Sequence, residues 1–477
     1  MSIAKNYIYN VIYQVIILII PLITVPYISR VLGSNGIGIN AYTNSIIQYF
    51  LLFGTIGISL YGNRAIAYVR DDKKKLSSTF WGIFILKLLT TSTAYIVFLI
   101  FLAVVGRYHN IFLIQSVYII AAAADISWLY MGLEDFKKTV VRNLIVKIIG
   151  VTCIFIFVKD INDLWKYVLV LSLAELFGQM TMWAYLPRTV NWIRIKWVDI
   201  KKHFLPSISL FVPQIAIQIY VILNKTMLGF LSNPDEVGYF DNSDKIVKMV
   251  LAVATAMGVV MLPRVANTFA RGDIEKVKGY LYHSFDFASY LSIPMAFGLA
   301  GIAEVFTPWF FGPGFEKTGI LIGVISPIIV FIAWSNAIGQ QYLMPTGQVR
   351  AYTVSVCFGA IINFILNLLL IRHYQSIGTA VATLVAEFAV TAVQIWSVSD
   401  KIKIRNLFQS NWKYIVSGLI MFIVIKFVGT VPLSGILTTF LQIIIGVITY
   451  FVPLFILKSE MNAKIFGIAW RLVRRQR

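Results

Sequence analysis

Long apolar runs broken by short polar stretches divide this chain into fourteen segments, each near the roughly 20 residues that a bilayer-crossing helix needs. They lie at about 7–28, 40–62, 79–104, 111–131, 143–158, 164–186, 207–230, 239–262, 284–303, 319–341, 352–371, 378–397, 412–429 and 435–457. The fifth is short and the eighth begins in polar sequence. The alternating ten-residue pattern of an outer-membrane barrel is absent. Backbone groups in hydrocarbon must bond within their own segment, so the runs predict helices. The expected fold class is therefore all-α: a polytopic membrane protein with about fourteen transmembrane helices.

Charge then sets orientation. An even number of spans puts both termini on one side. About 30 of the 41 Lys and Arg fall in loops and tails on the side of the N-terminus, and about six on the other. Lys73, Lys74, Lys75, Lys201, Lys202, Arg471, Arg474 and Arg475 belong to the rich side. The positive-inside rule makes both termini cytoplasmic. The net charge of +20 is thereby absorbed, and no aromatic-interleaved basic face calls for nucleic acid. Only 13% of the 477 residues are charged and 58% are hydrophobic; soluble domains carry roughly 25% charged residues. Lys5 precedes an apolar stretch too long for a signal-peptide h-region, with no small-residue cleavage site.

Enzyme chemistry finds little support. Cys153 and Cys357 sit singly in apolar runs, and His109, His203, His283 and His373 are scattered. No HExxH, GxxxxGK[ST] or GxSxG motif occurs, so metal, ATP and acyl-transfer sites are not expected. The outer loops are short, the longest running from about Glu304 to Thr318. That leaves no room for an external catalytic domain.

Two stretches echo each other. Leu32-Gly33 with Gly36 and Gly38 follows the first span, and Leu228-Gly229 with Gly238 follows the seventh. Leu173-Ala174-Glu175 with Trp183 matches Val385-Ala386-Glu387 with Trp396. The offsets are about 196 and about 212 residues, as expected of internal transporter repeats. The expected division is two pseudo-symmetric six-helix lobes, 1–203 and 204–400, with two helices and a basic tail in 401–477. Pro21 and Pro26 in the first span, and Pro206 and Pro213 in the seventh, are candidate bends.

These residues carry a family likeness. Arg30 to Gly38 (RVLGSNGIG), Lys225 to Gly229 (KTMLG), Glu236 to Ile246 (EVGYFDNSDKI) and Met261 to Asp273 (MLPRVANTFARGD) recur in order with Gly339 to Arg350 (GQQYLMPTGQVR), Ile361 to Asn367 (IINFILN) and Ile377 to Glu387 (IGTAVATLVAE). From span 1 to span 12 the chain resembles the polysaccharide-transporter branch of the multidrug/oligosaccharidyl-lipid/polysaccharide flippase superfamily. The resemblance implies a Wzx-type flippase that moves an undecaprenyl-diphosphate-linked oligosaccharide from the cytoplasmic to the outer leaflet by alternating access. Capsule, exopolysaccharide or O-antigen assembly would be its setting, in a bacterial cytoplasmic membrane beside a glycan polymerase and other assembly proteins. Two departures stand out. Asn224 precedes the KTMLG lysine where relatives often carry an acid. Thr24 and Gly54-Thr55 occupy stretches where lipid II flippases usually place cations.

An anionic diphosphate needs cations along its path. Candidates are Lys245 and Lys248, one turn apart, with Lys225, Arg64 and Arg30. Asp241 and Asp244 stand ready as rival partners of the lysine pair. Lys87 and Lys426 read as snorkelling residues. The in-span acids Glu175, Glu387, Asp125 and Asp286 are candidates for coupling to Na⁺ or H⁺, or for pairing with a lysine. Asn363 and Asn367, one turn apart, suit sugar binding or helix contact. Neither a cofactor nor a resident metal is expected. The rival functions are a multidrug antiporter of the same superfamily and a membrane-embedded glycan polymerase.

Overall fold

The computed structural model describes residues 3–475, and side chains outside 1–18, 136–138, 210, 212–214, 216–217, 256–260 and 468–477. The side chains of Lys5, Pro213, Arg471, Arg474 and Arg475 thus lie outside the description. The described chain is helical, with no strand among the described residues. Ten segments among them are long and apolar enough to cross a membrane. The surface agrees: Val104 is 82% and Phe427 76% exposed, as side chains facing lipid would be. The chain forms two compact units, Met1–Gly238 and Tyr239–Arg477.

In the first unit the Ile3–Thr55 helix runs through Pro21 and Pro26 with helical backbone and breaks instead at Gly33 (φ 65°, ψ 179°). A left-handed φ suits a residue with no Cβ. Helices Ile58–Val69 and Lys73–Val104 follow. Asp72 caps the latter by accepting from the Lys74 and Lys75 amides. The next span is broken into His109–Gln115, Val117–Ala124 and Ser127–Gly132. Phe136–Phe157, Leu164–Trp183 and Phe204–Leu231 complete the set. The fifth span is therefore longer than its apolar run. One core gathers Phe80, Trp128, Tyr130, Ile58 and Ile66. Phe80 stacks on Trp128 at 5.4 Å, and Gly62 leaves the room that the indole fills.

The second unit is built around Ile274–Phe311, which packs against Glu316–Ile325, Ile328–Ser335, Asn411–Val428 and Gly435–Ile456. Val349–Val398 breaks at Gln375 (φ 51°, ψ −127°), whose side-chain oxygen accepts from Lys317 Nζ at 3.3 Å. Gly418 fits against Phe297, and Gly446 against Ile425. Small residues at helix contacts let backbones close up where lipid offers no hydrophobic drive. Asn363 and Asn367 are fully buried, and Asn367 Nδ2 donates to the Asn363 carbonyl and side-chain oxygens at 3.0 Å each.

The break at Asp125 carries a buried charge. Lys87 has no exposed surface and donates to the Asp125 carboxylate at 3.0 Å and to its backbone oxygen at 2.7 Å. The Ser127 amide donates to the other carboxylate oxygen at 2.9 Å. The snorkelling expected of Lys87 is overturned: a partner 38 residues downstream holds it inside. Lys87→Met strands the aspartate, and breaking such a pair costs about 3–5 kcal/mol. Thermal melting of the full chain in detergent should show that loss, and Lys87→Met/Asp125→Asn should recover most of it, since Asn can still accept from Ser127. Equal melting of Lys87→Met and wild type would contradict this.

At the foot of the Phe204–Leu231 helix, His203 is buried and its Nδ1 bonds Tyr61 Oη at 2.7 Å. Burial, aided by Lys202, pushes the imidazole down to about 4 against a weaker pull from Asp199. The unfolded chain therefore takes up this proton first as pH falls. The stabilisation is complete above about pH 6.5 and is lost as pH falls toward about 4. Between pH 6.5 and 5, wild type should lose melting temperature more steeply than His203→Gln. Parallel curves would refute it.

Candidate functional site

The two glycine stretches that echo each other in the sequence meet in the structure. A Cβ on Gly38 would lie 1.7 Å from the Pro234 carbonyl oxygen. One on Gly238 would lie 2.1 Å from the Ser34 carbonyl oxygen, and one on Gly229 would strike the Tyr42 ring. Only glycine permits backbones this close. Side chains then tie the contact. Ser34 Oγ donates to Asp235 Oδ1 at 2.5 Å, Asn35 Nδ2 donates to Asp235 Oδ2 at 3.0 Å, and Ser45 and Thr226 hydroxyls bond at 2.9 Å. This latch uses one charge against two neutral donors, a bond that forms without a buried ion pair. The repeat marks the segments, but Asp235 lies in the first turn of the Pro234–Ala270 helix, ahead of the eighth apolar run, so no in-span search selects it.

The candidate cations are placed as follows. Lys245 pairs with Asp241 at 2.6 Å and Lys248 with Asp244 at 2.8 Å, each one turn back along Pro234–Ala270. The aspartates are buried while the ammonium groups stay half-exposed. The pair thus presents two held, partly neutralised charges on one helix face. Lys225 is half-buried in Phe204–Leu231. Arg30 is exposed in the first helix. Arg64 is exposed too, and its Nε donates to Tyr68 Oη at 3.1 Å. Lys426 pairs with Glu304 at 2.8 Å, near the end of its helix.

Of the acids, Asp125 is held by Lys87 and Ser127, and Asp286 Oδ1 accepts from Tyr414 Oη at 2.8 Å. Asp125 thus sits at a helix break and Asp286 at a contact between helices. Glu387 is half-buried with Tyr352 in electrostatic reach. Glu175 differs. It shares a helical stripe with Val168, Ser172, Gln179 and Met182, all buried, yet is itself exposed. Gln179 Nε2 donates to it at 2.6 Å, and Gln179 Oε1 accepts from Arg142 at 2.7 Å. Lys147, on the same helix as Arg142, also acts on it electrostatically. Arg142 and Lys147 were missing from the sequence candidates; a basic residue at each i to i+5 step in an apolar run was the available signal. Among the described residues, no group of three His, Cys, Asp or Glu could hold a metal. Both cysteines are free.

Comparison with known proteins bears on this arrangement. The family model described as polysaccharide biosynthesis protein matches residues 3–269. A protein of Escherichia coli strain K12 that carries the provisional name O-antigen transporter is 23% identical over 407 residues, covering 84% of this chain and 97% of its own. The solved structure of the lipid II flippase MurJ in an inward closed conformation is similar over 94% of this chain and 98% of its own, with a TM-score of 0.72 at 16% identity. An inward-facing multidrug transporter of the MATE family covers 82% of this chain and 99% of its own, with a TM-score of 0.61 at 12% identity. At such identities the structures establish the fold alone, and it is the fold that the sequence motifs implied. With more than half of its length inside the family model, this chain belongs to the polysaccharide biosynthesis protein family.

Proposed function

We propose that the protein translocates an undecaprenyl-diphosphate-linked oligosaccharide from the cytoplasmic to the outer leaflet of a bacterial cytoplasmic membrane, by alternating access, during surface polysaccharide assembly. The observation that carries this reading is the end-to-end similarity to the Escherichia coli protein named for O-antigen transport. The fold supports it, and a fourteen-span topology is part of the same proposal. Counting Ile19–Val69 and Val349–Val398 as two each, and adding Phe204–Leu231 and Pro234–Ala270 to the ten, brings the total to fourteen. Both termini then lie in the cytoplasm. The lobes are 1–203 and 204–400, with 401–477 appended.

In that topology the Ser34–Asn35–Asp235 latch lies at the outer surface and acts as the outer gate. Opening it exchanges two neutral-to-anion hydrogen bonds for water, a modest change compatible with a cycle. Lys245 and Lys248 serve the diphosphate by exchanging their aspartate partners for it, with Lys225, Arg30 and Arg64 along the path. One charge at the bilayer centre costs about 2.5–3.5 kcal/mol, so these contacts lower a real barrier. A dianion leaving a negative interior gains about 4.6 kcal/mol per 100 mV. Coupling to H⁺ or Na⁺ at Glu175 or Glu387 adds to that drive. A glycan polymerase on the outer side is the expected consumer.

Deletion in the source bacterium should strip surface polysaccharide and trap lipid-linked repeat units on the cytoplasmic leaflet, with both reversed by a plasmid copy. Normal export with no trapped lipid would sink the proposal, and loss of drug tolerance alone would favour the antiporter.

A further inference from the structure

The apolar run read as the second span contains a break that the transport scheme above leaves unused. The first helix ends at Thr55, Ile56 and Gly57 take left-handed backbone (φ 36° and 70°), and the helix restarts at Ile58. Backbone that leaves the helix at membrane depth survives only when buried in protein or lining a polar cavity. Interrupted spans are also where transporters build their binding sites. Gly57 is packed against the seventh span: a Cβ there would lie 3.0 Å from Phe211 Cβ and 3.2 Å from the Ser207 carbonyl oxygen. Beside the break opens a cavity of about 240 Å³.

The lining of this cavity is chemically selective. Among the described residues its polar lining is Gln48, Thr55, Ser59 and Gln218, with no Asp, Glu, Lys, Arg or His. Phe211 and leucines supply the apolar walls. Gln48 and Thr55 stand two turns apart on one helix face. Gln218 and Ser59 are exposed, and neither makes a hydrogen bond to a described residue. Gln48 Nε2 makes one long bond, 3.4 Å to Asn44, and Thr55 Oγ1 donates to the Leu51 carbonyl at 2.9 Å. Donors and acceptors therefore remain open on both amides and acceptor capacity on both hydroxyls. Unpaired amides facing hydrocarbon would be costly, so these face a wet space that a polar ligand can take over.

An anion would demand a cation here, and a cationic drug would demand a carboxylate. Amides and hydroxyls over an apolar wall instead match a neutral sugar, whose hydroxyls both donate and accept and whose ring carbons present an apolar face. Pockets for drug-sized ligands run to roughly 300–1,000 Å³, so this one suits about one ring. We infer that this cavity is a sugar-reading subsite that takes one uncharged hexose or N-acetylhexosamine ring of the translocated glycan and discriminates against an acidic sugar. The inference rests on the flippase reading and adds to it a specificity that the cations, which see only the diphosphate, do not provide.

The test uses the full chain in lipid nanodiscs and three probes: bare undecaprenyl diphosphate, the same lipid carrying N-acetylglucosamine, and the same lipid carrying a uronic acid. Dissociation constants are read by native mass spectrometry. The neutral glycolipid should bind about tenfold more tightly than the bare carrier, and the acidic one no more tightly than the carrier. Gln48→Leu and Gln218→Leu should each remove about fivefold of the neutral-sugar advantage, one hydrogen bond's worth. Both should leave affinity for the bare carrier within twofold, which also reports that the variants are folded. Equal binding of bare and glycosylated carrier by wild type, equal gain from the acidic sugar, or leucine variants that weaken all probes alike would overturn the subsite while leaving the flippase reading intact. Failure of wild type to bind even the bare carrier would remove both.

Discussion

A backbone amide or carbonyl without a partner costs several kcal/mol in hydrocarbon, and three breaks in this helical chain are placed where that cost is met. At Asp125 the carboxylate accepts from Ser127, and Lys87 reaches the carbonyl of the same residue. At Gly33 the chain turns toward a close contact in which Ser34 and Asn35 find Asp235. At Ile56 and Gly57 the turn lies against the seventh span and opens onto amides and hydroxyls. One break is thus structural, one forms a latch, and one faces a cavity.

The same constraint sorts the charges. An ion kept in the membrane needs a partner, so most in-span charges in this chain are already paired. Lys87 with Asp125, and Lys245 and Lys248 with Asp241 and Asp244, are internally balanced. The first pair is sealed and serves the fold. The other two keep their ammonium groups half-exposed, the property on which the proposed exchange for a phosphate relies. Glu175 is poised between these cases, tied to Arg142 through the Gln179 amide yet open on one side.

Much of this was legible in the chain. Hydropathy located the helices because a bilayer imposes length and apolar character directly. The glycine echo flagged both halves of the latch, though nothing in one dimension says that Gly38 and Gly238 touch. Pairing of Lys87 with Asp125 was hidden for the same reason: their contact is tertiary, whereas Asp241 with Lys245 follows from one-turn spacing. The break at Gly57 was masked because Ile56 and Gly57 sit inside an unbroken apolar run, and hydropathy does not register backbone conformation. Proline drew attention to Pro21 and Pro26, while the backbone left the helix at glycine.

The central claim joins transport of a lipid-linked glycan to opening of the Ser34–Asp235 contact, and reconstitution tests both at once. Vesicles would carry the Ser34→Cys/Asp235→Cys chain and a lipid-linked oligosaccharide, and a membrane-impermeant glycosidase would report what reaches the far leaflet. Transport while the thiols are free, arrest once a short thiol-specific cross-linker joins them, and recovery on cleaving the linker is the predicted result. Transport that continues at full rate with the cross-link in place, or no transport by the wild-type chain, would contradict the account.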